Sequence, residues 1–322
     1  MKEVFDRFVD ALEKNQVELL ESVLDDNVVL NSSALGCVDG KEKVIEAFRW
    51  KGLKTDLYKA KIFDNVVRKC GNKVWQTFYS VLLIGKYGMD FMNLFQCCFI
   101  NAFEYVDNKI VSIKSNMTFE HGNTLMVSEW WNMIDYKTEY GCKRGVVLDG
   151  AKDNPWLNCP VSEIPLNDAE EIQDTFNRYC LDLDLGNFDD LANVAAENMG
   201  PYTGSEGGRD VWISNFKKQW ARKVVFNGEE FVREAVWNHI NTFQSLDIQG
   251  DKAYAVIYRF EPNRIGTRFQ HKYNLNSHYY SFIWYMHFKK ENGKWLMDGI
   301  DFSHANERGP WQVEYDMDQR YF

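Results

Sequence analysis

Proton chemistry at neutral pH falls first to histidine, and the chain has six of them. His239 sits in a strand-like run whose alternation puts Trp237, His239, Asn241 and Phe243 on one face and Val236, Asn238, Ile240 and Thr242 on the other. An imidazole set among two aromatics and an amide suits a pocket wall. Further on, His278, Tyr280, Phe282 and Trp284 share one face, while Ser281, Ile283, Tyr285 and His287 share the other. One of these faces is expected to line the same pocket. His121 and His304 fall in a short pattern that occurs twice, and are read as structural. No His-x-His or His-x3-His pair stands beside an acidic ligand, and the seven-residue step from His271 to His278 fits no ligand spacing, so no metal is expected. Gly204-Ser205-Glu206-Gly207-Gly208-Arg209 lacks the Lys-Ser/Thr of a phosphate loop and reads as a turn. No cofactor is implied.

These residues need elements to hold them. Phe5, Phe8, Val9 and Leu12 follow the i, i+3, i+4, i+7 spacing of an amphipathic helix, and so do Ile172, Phe176, Tyr179 and Leu183, with Asn167-Asp168 ahead of them as a cap. A second short helix is expected after each. A third begins near Gly40-Lys41 and near Gly208-Arg209-Asp210. Long runs rich in β-branched and aromatic residues then follow: 73–84, 91–105, 232–243, 253–260 and 277–288. Helices first and antiparallel strands afterwards predict an α+β fold.

The order of elements repeats. Phe119-Glu120-His121-Gly122-Asn123 and Phe302-Ser303-His304-Ala305-Asn306 close the two halves, each after a turn, Val106-Asp107-Asn108-Lys109 or Glu291-Asn292-Gly293-Lys294. The opening segments 11–20 and 182–191 also run in parallel. Three matches in one order predict a duplication: a domain over 1–128, a linker or arm over 129–166 that packs between the domains, and a second domain over 167–322.

Composition narrows the classes. A chain of 322 residues with 15% aromatics suits two domains with large cores or ring-walled cavities. The formal net charge of −10, with no basic stripe, argues against nucleic acid as a partner. The longest stretch free of Lys, Arg, Asp and Glu, 273–288, is too short to span a bilayer, so no membrane partner is expected. The charged opening Met1-Lys2-Glu3-Val4-Phe5-Asp6-Arg7 lacks a signal peptide's apolar core. Seven cysteines without a Cys-x-x-Cys pair read as buried, reduced thiols in a cytoplasmic protein.

One family shares this pattern. Residues 178–189, the loop Gly204 to Phe216, the hairpin 247–253 and the final hairpin 290–295 resemble SnoaL-like proteins of the nuclear transport factor 2-like superfamily, over most of 168–304. The first half resembles them in element order only. The resemblance implies a cone: a curved antiparallel sheet wrapped on N-terminal helices around a deep pocket. In the dehydratase-type members a Tyr and an Asp from the first helix meet a His on a facing strand, which carries over here to Tyr179, Asp184 and His239. The carboxylate would fix the imidazole's tautomer, the imidazole would take a proton next to a carbonyl, and the phenol would stabilise the oxyanion. Five residues along a helix put Tyr179 and Asp184 roughly 140° apart in direction, so convergence calls for a bend at the helix end, which Gly186 permits. Asp182, three residues from Tyr179, is the fallback.

The expected function is cofactor-free dehydration or isomerisation of a hydrophobic, oxygenated small molecule, steroid-, polyketide- or aromatic-like. It would sit in the second domain, with Trp237, Asn241, His278, Tyr280 and Trp284 lining the pocket. The first copy aligns Phe8 with Tyr179, Glu13 with Asp184 and Ala60 with His239, so it lacks the phenol and the imidazole. Its strands carry Phe91, Met92, Leu94, Phe95, Cys97, Cys98, Phe99 and Phe103 instead. The two domains are expected to pair within the chain, and a homo-oligomer is open. The rival reading is a non-enzymatic ligand-binding or protein-interaction module of the same fold.

Overall fold

The computed structural model describes residues 1–51, 57–85, 94–122, 126–127, 131, 147–199, 207–220, 223–226, 229–232, 239–262 and 279–308. They divide into two compact units, Met1–Pro165 and Leu166–Phe322. The α+β class expected from the sequence is what both show, mainly antiparallel sheets with helices ahead of them in the chain.

Unit 1 opens with helix α1 (Lys2–Glu13) and a 3-10 turn (Val17–Ser22). Strands β1 (Leu24–Ser32) and β2 (Gly36–Asp39) lead to α2 (Lys41–Phe48), followed by β3 (Leu57–Cys70), β4 (Lys73–Gly85), β5 (Leu94–Val106) and β6 (Lys109–Gly122). The sheet order is β2-β1-β6-β5-β4-β3, antiparallel except where β1 lies along β6. Phe5 and Phe8 of α1 meet Phe78 and Phe103 edge-on at 5.0 and 5.1 Å. A second cluster holds Leu82, Ile84, Phe95, Cys97 and Trp131. Side chains that the sequence reading expected inside this copy are therefore core, among them Phe95, Cys97, Cys98 and Phe103. Phe91 and Met92 lie outside the described residues, and Phe99 is partly buried.

Two short helices, α3 (Gly150–Asp153) and α4 (Pro155–Asn158), end unit 1, with α4 lying against β3 and β4. This contact overturns the reading of the cysteines as reduced, buried thiols. Cys159, just past α4, forms a disulfide with Cys70 at the end of β3, Cα to Cα 6.1 Å, a separation that a bridge requires. Cys37 is exposed, while Cys97, Cys98 and Cys180 are buried. The linked residues stand 89 apart, so no spacing motif marks them. Ser162 and Glu163 extend the contact: the backbone N–H groups of Lys69 and Gly71 donate to their side chains at 3.1 and 2.7 Å. Residues 155–163 thus dock on the β3–β4 hairpin.

Unit 2 is built around α5 (Asp168–Asp184). Its start is fixed by a capping box: Asn167 accepts from the Glu170 N–H, and Glu170 accepts from the Asn167 N–H. After α5 come a 3-10 turn (Asp190–Asn193), α6 (Arg209–Trp220) and strands β7 (Lys223–Phe226), β8 (Glu229–Val232), β9 (Asn241–Gln249), β10 (Lys252–Pro262), β11 (Tyr279–Glu291) and β12 (Lys294–Arg308). The main sheet runs β12-β11-β10-β9, all antiparallel, and β7 pairs with β8 separately. The β11–β12 turn uses Asn292 and Gly293, both at positive φ, the combination that a tight hairpin matching strand twist demands. Asp168 accepts from the Trp295 indole at 3.1 Å and from Lys290, and the Thr175 hydroxyl donates to the Trp295 carbonyl at 3.0 Å. These contacts lock α5 lengthwise on that hairpin, and so decide where its far end, Asp184, comes to rest. Among the described residues, no helix is long and apolar enough to cross a membrane.

Candidate active site

On α5, Ile172, Phe176, Tyr179 and Leu183 face the sheet and are buried. The sheet's inner face answers with Ala253, Ala255 and Ile257 on β10, Trp284, Met286 and Phe288 on β11, and Trp295, Met297 and Ile300 on β12. Phe176 sits at the centre, edge-on to Trp284 at 5.3 Å and to Phe243 at 5.7 Å. Tyr179 stacks on Trp212 of α6 at 5.4 Å.

The end of α5 and the start of β9 meet here. Asp184 contacts His239 twice: one carboxylate oxygen bonds ring Nδ1, and the other accepts the His239 backbone N–H at 2.6 Å. Both side chains are almost fully buried. An ionised carboxylate only accepts hydrogen bonds, so Nδ1 carries a proton, and in the neutral imidazole Nε2 is then the nitrogen with the lone pair. A neutral imidazole held this way can take a proton at Nε2, with the carboxylate stabilising the imidazolium that results.

The double contact changes one detail of the sequence reading. Of the strand expected over 232–243, Val232 closes β8 and β9 starts at Asn241; His239 and Ile240 lie just before it, outside the ladder, and 233–238 lie outside the described residues. Asp184 takes the His239 backbone N–H that a ladder would otherwise use. Helix α5 stays helical through Asp184, and Gly186 turns the chain only afterwards, at φ +72°. Asp184 bonds the imidazole directly, and the Tyr179 ring centre lies 6.3 Å from the His239 ring centre.

Asp182 points elsewhere, because two residues along a helix turn about 200°. It accepts from the Asn187 side chain at 2.9 Å and lies beside Asp190, which Arg178 pairs at 3.0 Å. Burial, and then the charge of Asp190, hold the Asp182 carboxyl well above the ordinary carboxylate range. At Asp190 burial works in the same direction, but the bond with Asp182 and the charge of Arg178 leave it below that range. The two read as an acid donating to a carboxylate. Folded Asp182 thus holds its proton to higher pH than the unfolded chain does. Its contribution to stability is fully present below the unfolded value near 4, and is lost as pH rises through the folded value. Asp182→Asn should therefore gain on the wild type between pH 5 and pH 8, by on the order of 1 kcal/mol. Urea denaturation at both pH values checks this, and a difference that stays constant with pH would count against it.

Of the expected lining residues, Asn241 and Trp284 are buried at the site. Asn241 donates to Cys180 Sγ at 3.6 Å, and the Trp284 ring lies 6.0 Å from the His239 ring. Trp237 and His278 lie outside the described residues, as does the side chain of Tyr280 on β11. Tyr285 and His287 take the outer face of β11, where His287 meets Tyr254 edge-on at 5.0 Å.

Sequence reading missed Arg259. On β10 the buried positions run Ala253, Ala255, Ile257 and then Arg259, itself 5% exposed. Its guanidinium carbon lies 5.2 Å from the centre of the Trp284 ring. A register shift in the β9–β10 ladder next to Ile257 brings Arg259 directly opposite Asn241. The signal was available: a cation that continues an i, i+2 row of small apolar residues.

No protein-family model matches the chain, and no curated protein does. Solved structures similar to it include an LEH-like epoxide hydrolase from M. tuberculosis (17% identity, 36% of this chain and 80% of that one, TM-score 0.28). Others are a putative ketosteroid isomerase from Kribbella flavida DSM 17836 (12%, 37% and 78%, TM-score 0.28) and an NTF-2 like protein of unknown function from Burkholderia xenovorans LB400 (12%, 40% and 91%, TM-score 0.28). Likeness at this level carries no inference about chemistry, which rests on this chain's own residues.

Proposed function

We propose that unit 2 is a cofactor-free lyase or isomerase that removes a carbon-bound proton next to a carbonyl of a hydrophobic, oxygenated small molecule. His239 is the base at Nε2, Asp184 orients it and stabilises its protonated form, and Tyr179 assists the developing oxyanion. The observation that carries this reading is the buried Asp184–His239 pair. Two further features support it. The wall is aromatic, from Phe176, Tyr179, Trp212 and Trp284. The buried Trp212 indole N–H has no acceptor among the described residues, a state that costs about 1–3 kcal/mol and that a ligand oxygen would relieve. Trp237, Asn241, His278, Tyr280 and Trp284 are proposed to line the substrate.

We also propose that the units arose by duplication within the SnoaL-like group. In unit 1 the side chain of Glu13 accepts the Ala60 N–H at 2.9 Å. These are the positions that sequence alignment sets against Asp184 and His239, and the same carboxylate-to-backbone bond occurs in both units. That bond also favours the rival reading, in which the carboxylate only pins a strand and the fold serves for binding.

Solvent-deuterium exchange separates the two readings. 2-Tetralone and other cyclic ketones are incubated with the protein in D2O, and loss of the proton signal beside the carbonyl is followed by NMR. Exchange faster than buffer, abolished in His239→Gln, is the result expected of a base. No acceleration with any ketone that binds would leave a binding module.

A further inference from the structure

Unit 2 holds buried indole nitrogens in two ways. The Trp295 N–H donates to Asp168 at 3.1 Å, so that ring fastens a helix to a hairpin. Trp212, 3% exposed on the first turn of α6, buries its N–H with no acceptor among the described residues. A phenylalanine would fill the same wall without the cost of a donor that has lost its water and gained nothing. The ring is also held firmly. It stacks on Tyr179 at 5.4 Å and 27° and lies edge-on to Phe216 at 5.0 Å. Arg209 ties the start of α6 to the carbonyls of Ala192 and Ala195 at 3.4 and 3.5 Å. The donor is thus fixed before any ligand arrives, which is what a recognition contact requires. Tyr179 is the shared neighbour, its ring centre 5.4 Å from that of Trp212 and 6.3 Å from that of His239. Donor and base therefore both adjoin one phenol ring, within the reach of a single fused-ring molecule.

We propose that the Trp212 indole N–H is the specificity donor for a second oxygen of the substrate, apart from the carbonyl beside which His239 removes a proton. The molecule turned over is then a fused-ring ketone with a further acceptor oxygen on its far ring. This rests on the proposed small-molecule reading of the same site, in which the Tyr179 phenol already serves the reacting carbonyl. Trp212 is a binding residue here, and takes no part in the proton transfer. It discriminates because a site built around a buried donor rejects a molecule that leaves the donor unpaired, whereas a purely apolar wall discriminates weakly.

Isothermal titration with two probes tests it, trans-decalin-2,6-dione and its near-isostere 6-methylidene-trans-2-decalone, in which a CH2 group replaces one carbonyl oxygen. The ratio of the two affinities should fall about tenfold in Trp212→Phe, which keeps an aromatic ring and loses the N–H. Taking the ratio cancels whatever the smaller ring costs both probes alike. In the wild type, an indole N–H resonance in the 15N–1H spectrum should move downfield with the dione and stay in place with the methylidene compound. That spectrum stands whether or not the variant folds, which circular dichroism shows. An affinity ratio that Trp212→Phe leaves unchanged, or no indole resonance that follows the dione, overturns the donor and leaves the His239 base reading standing. Equal weakening of both probes in the variant also overturns it, and places the contact on the ring and not on a second oxygen. Binding of neither probe overturns the fused-ring assignment, and the deuterium exchange with other ketones then decides the base reading by itself.

Discussion

Replacing His239 with alanine should lower the rate of carbon-bound proton exchange by about two to four orders of magnitude, the range that a positioned general base contributes. The reason lies in how the imidazole is held. Asp184 bonds both Nδ1 and the backbone N–H of the same residue, so the ring and the chain that carries it are fixed by one carboxylate. Removing the ring leaves Asp184 its bond to the backbone N–H of residue 239, the kind of bond that Glu13 makes with Ala60 in unit 1. His239→Ala is therefore expected to fold, and to lose chemistry rather than structure. Added imidazole should restore part of the exchange in the variant by supplying a base to the vacated space. An exchange rate in His239→Ala equal to that of the wild type would remove His239 from the reaction.

The disulfide between Cys70 and Cys159 has the largest expected effect on stability. It closes a loop of 89 residues in sequence, and constraining so long a loop in the unfolded chain stabilises the folded one by about 2–4 kcal/mol. It also holds α4 and the 161–163 stretch on the β3–β4 hairpin, where Ser162 and Glu163 accept the N–H groups of Lys69 and Gly71. Reduction of the wild type and the double replacement Cys70→Ser/Cys159→Ser should lower the denaturant midpoint of unit 1 alike, and reductant should do nothing further to the double variant. Amide exchange in β3 and β4 should rise with either treatment. A wild-type midpoint indifferent to reductant would mean that the docking contacts, and not the bond, hold this segment.

The sequence by itself determined the elements and their faces. Helical spacing set the buried side of α5, Asn167 and Glu170 set its start, and Asn292-Gly293 set the last hairpin, because caps, turns and periodicity depend on residues a few positions apart. Alternation also put His239 and Asn241 on one inward row, and resemblance to a known family brought Asp184 to His239 across the 55 residues between them. Tertiary structure alone decided the rest. It turned the fallback Asp182 away from His239 and toward Asn187, because the capping box and the Trp295 contacts fix the rotation and the length of α5 against the sheet. It left His239 outside the β9 ladder, because a carboxylate takes the His239 N–H. It placed Arg259 opposite Asn241 through a shift in strand register, and it joined Cys70 to Cys159 through the docking of α4. Each of these outcomes turns on which distant segments pack together, and local patterns carry no record of that.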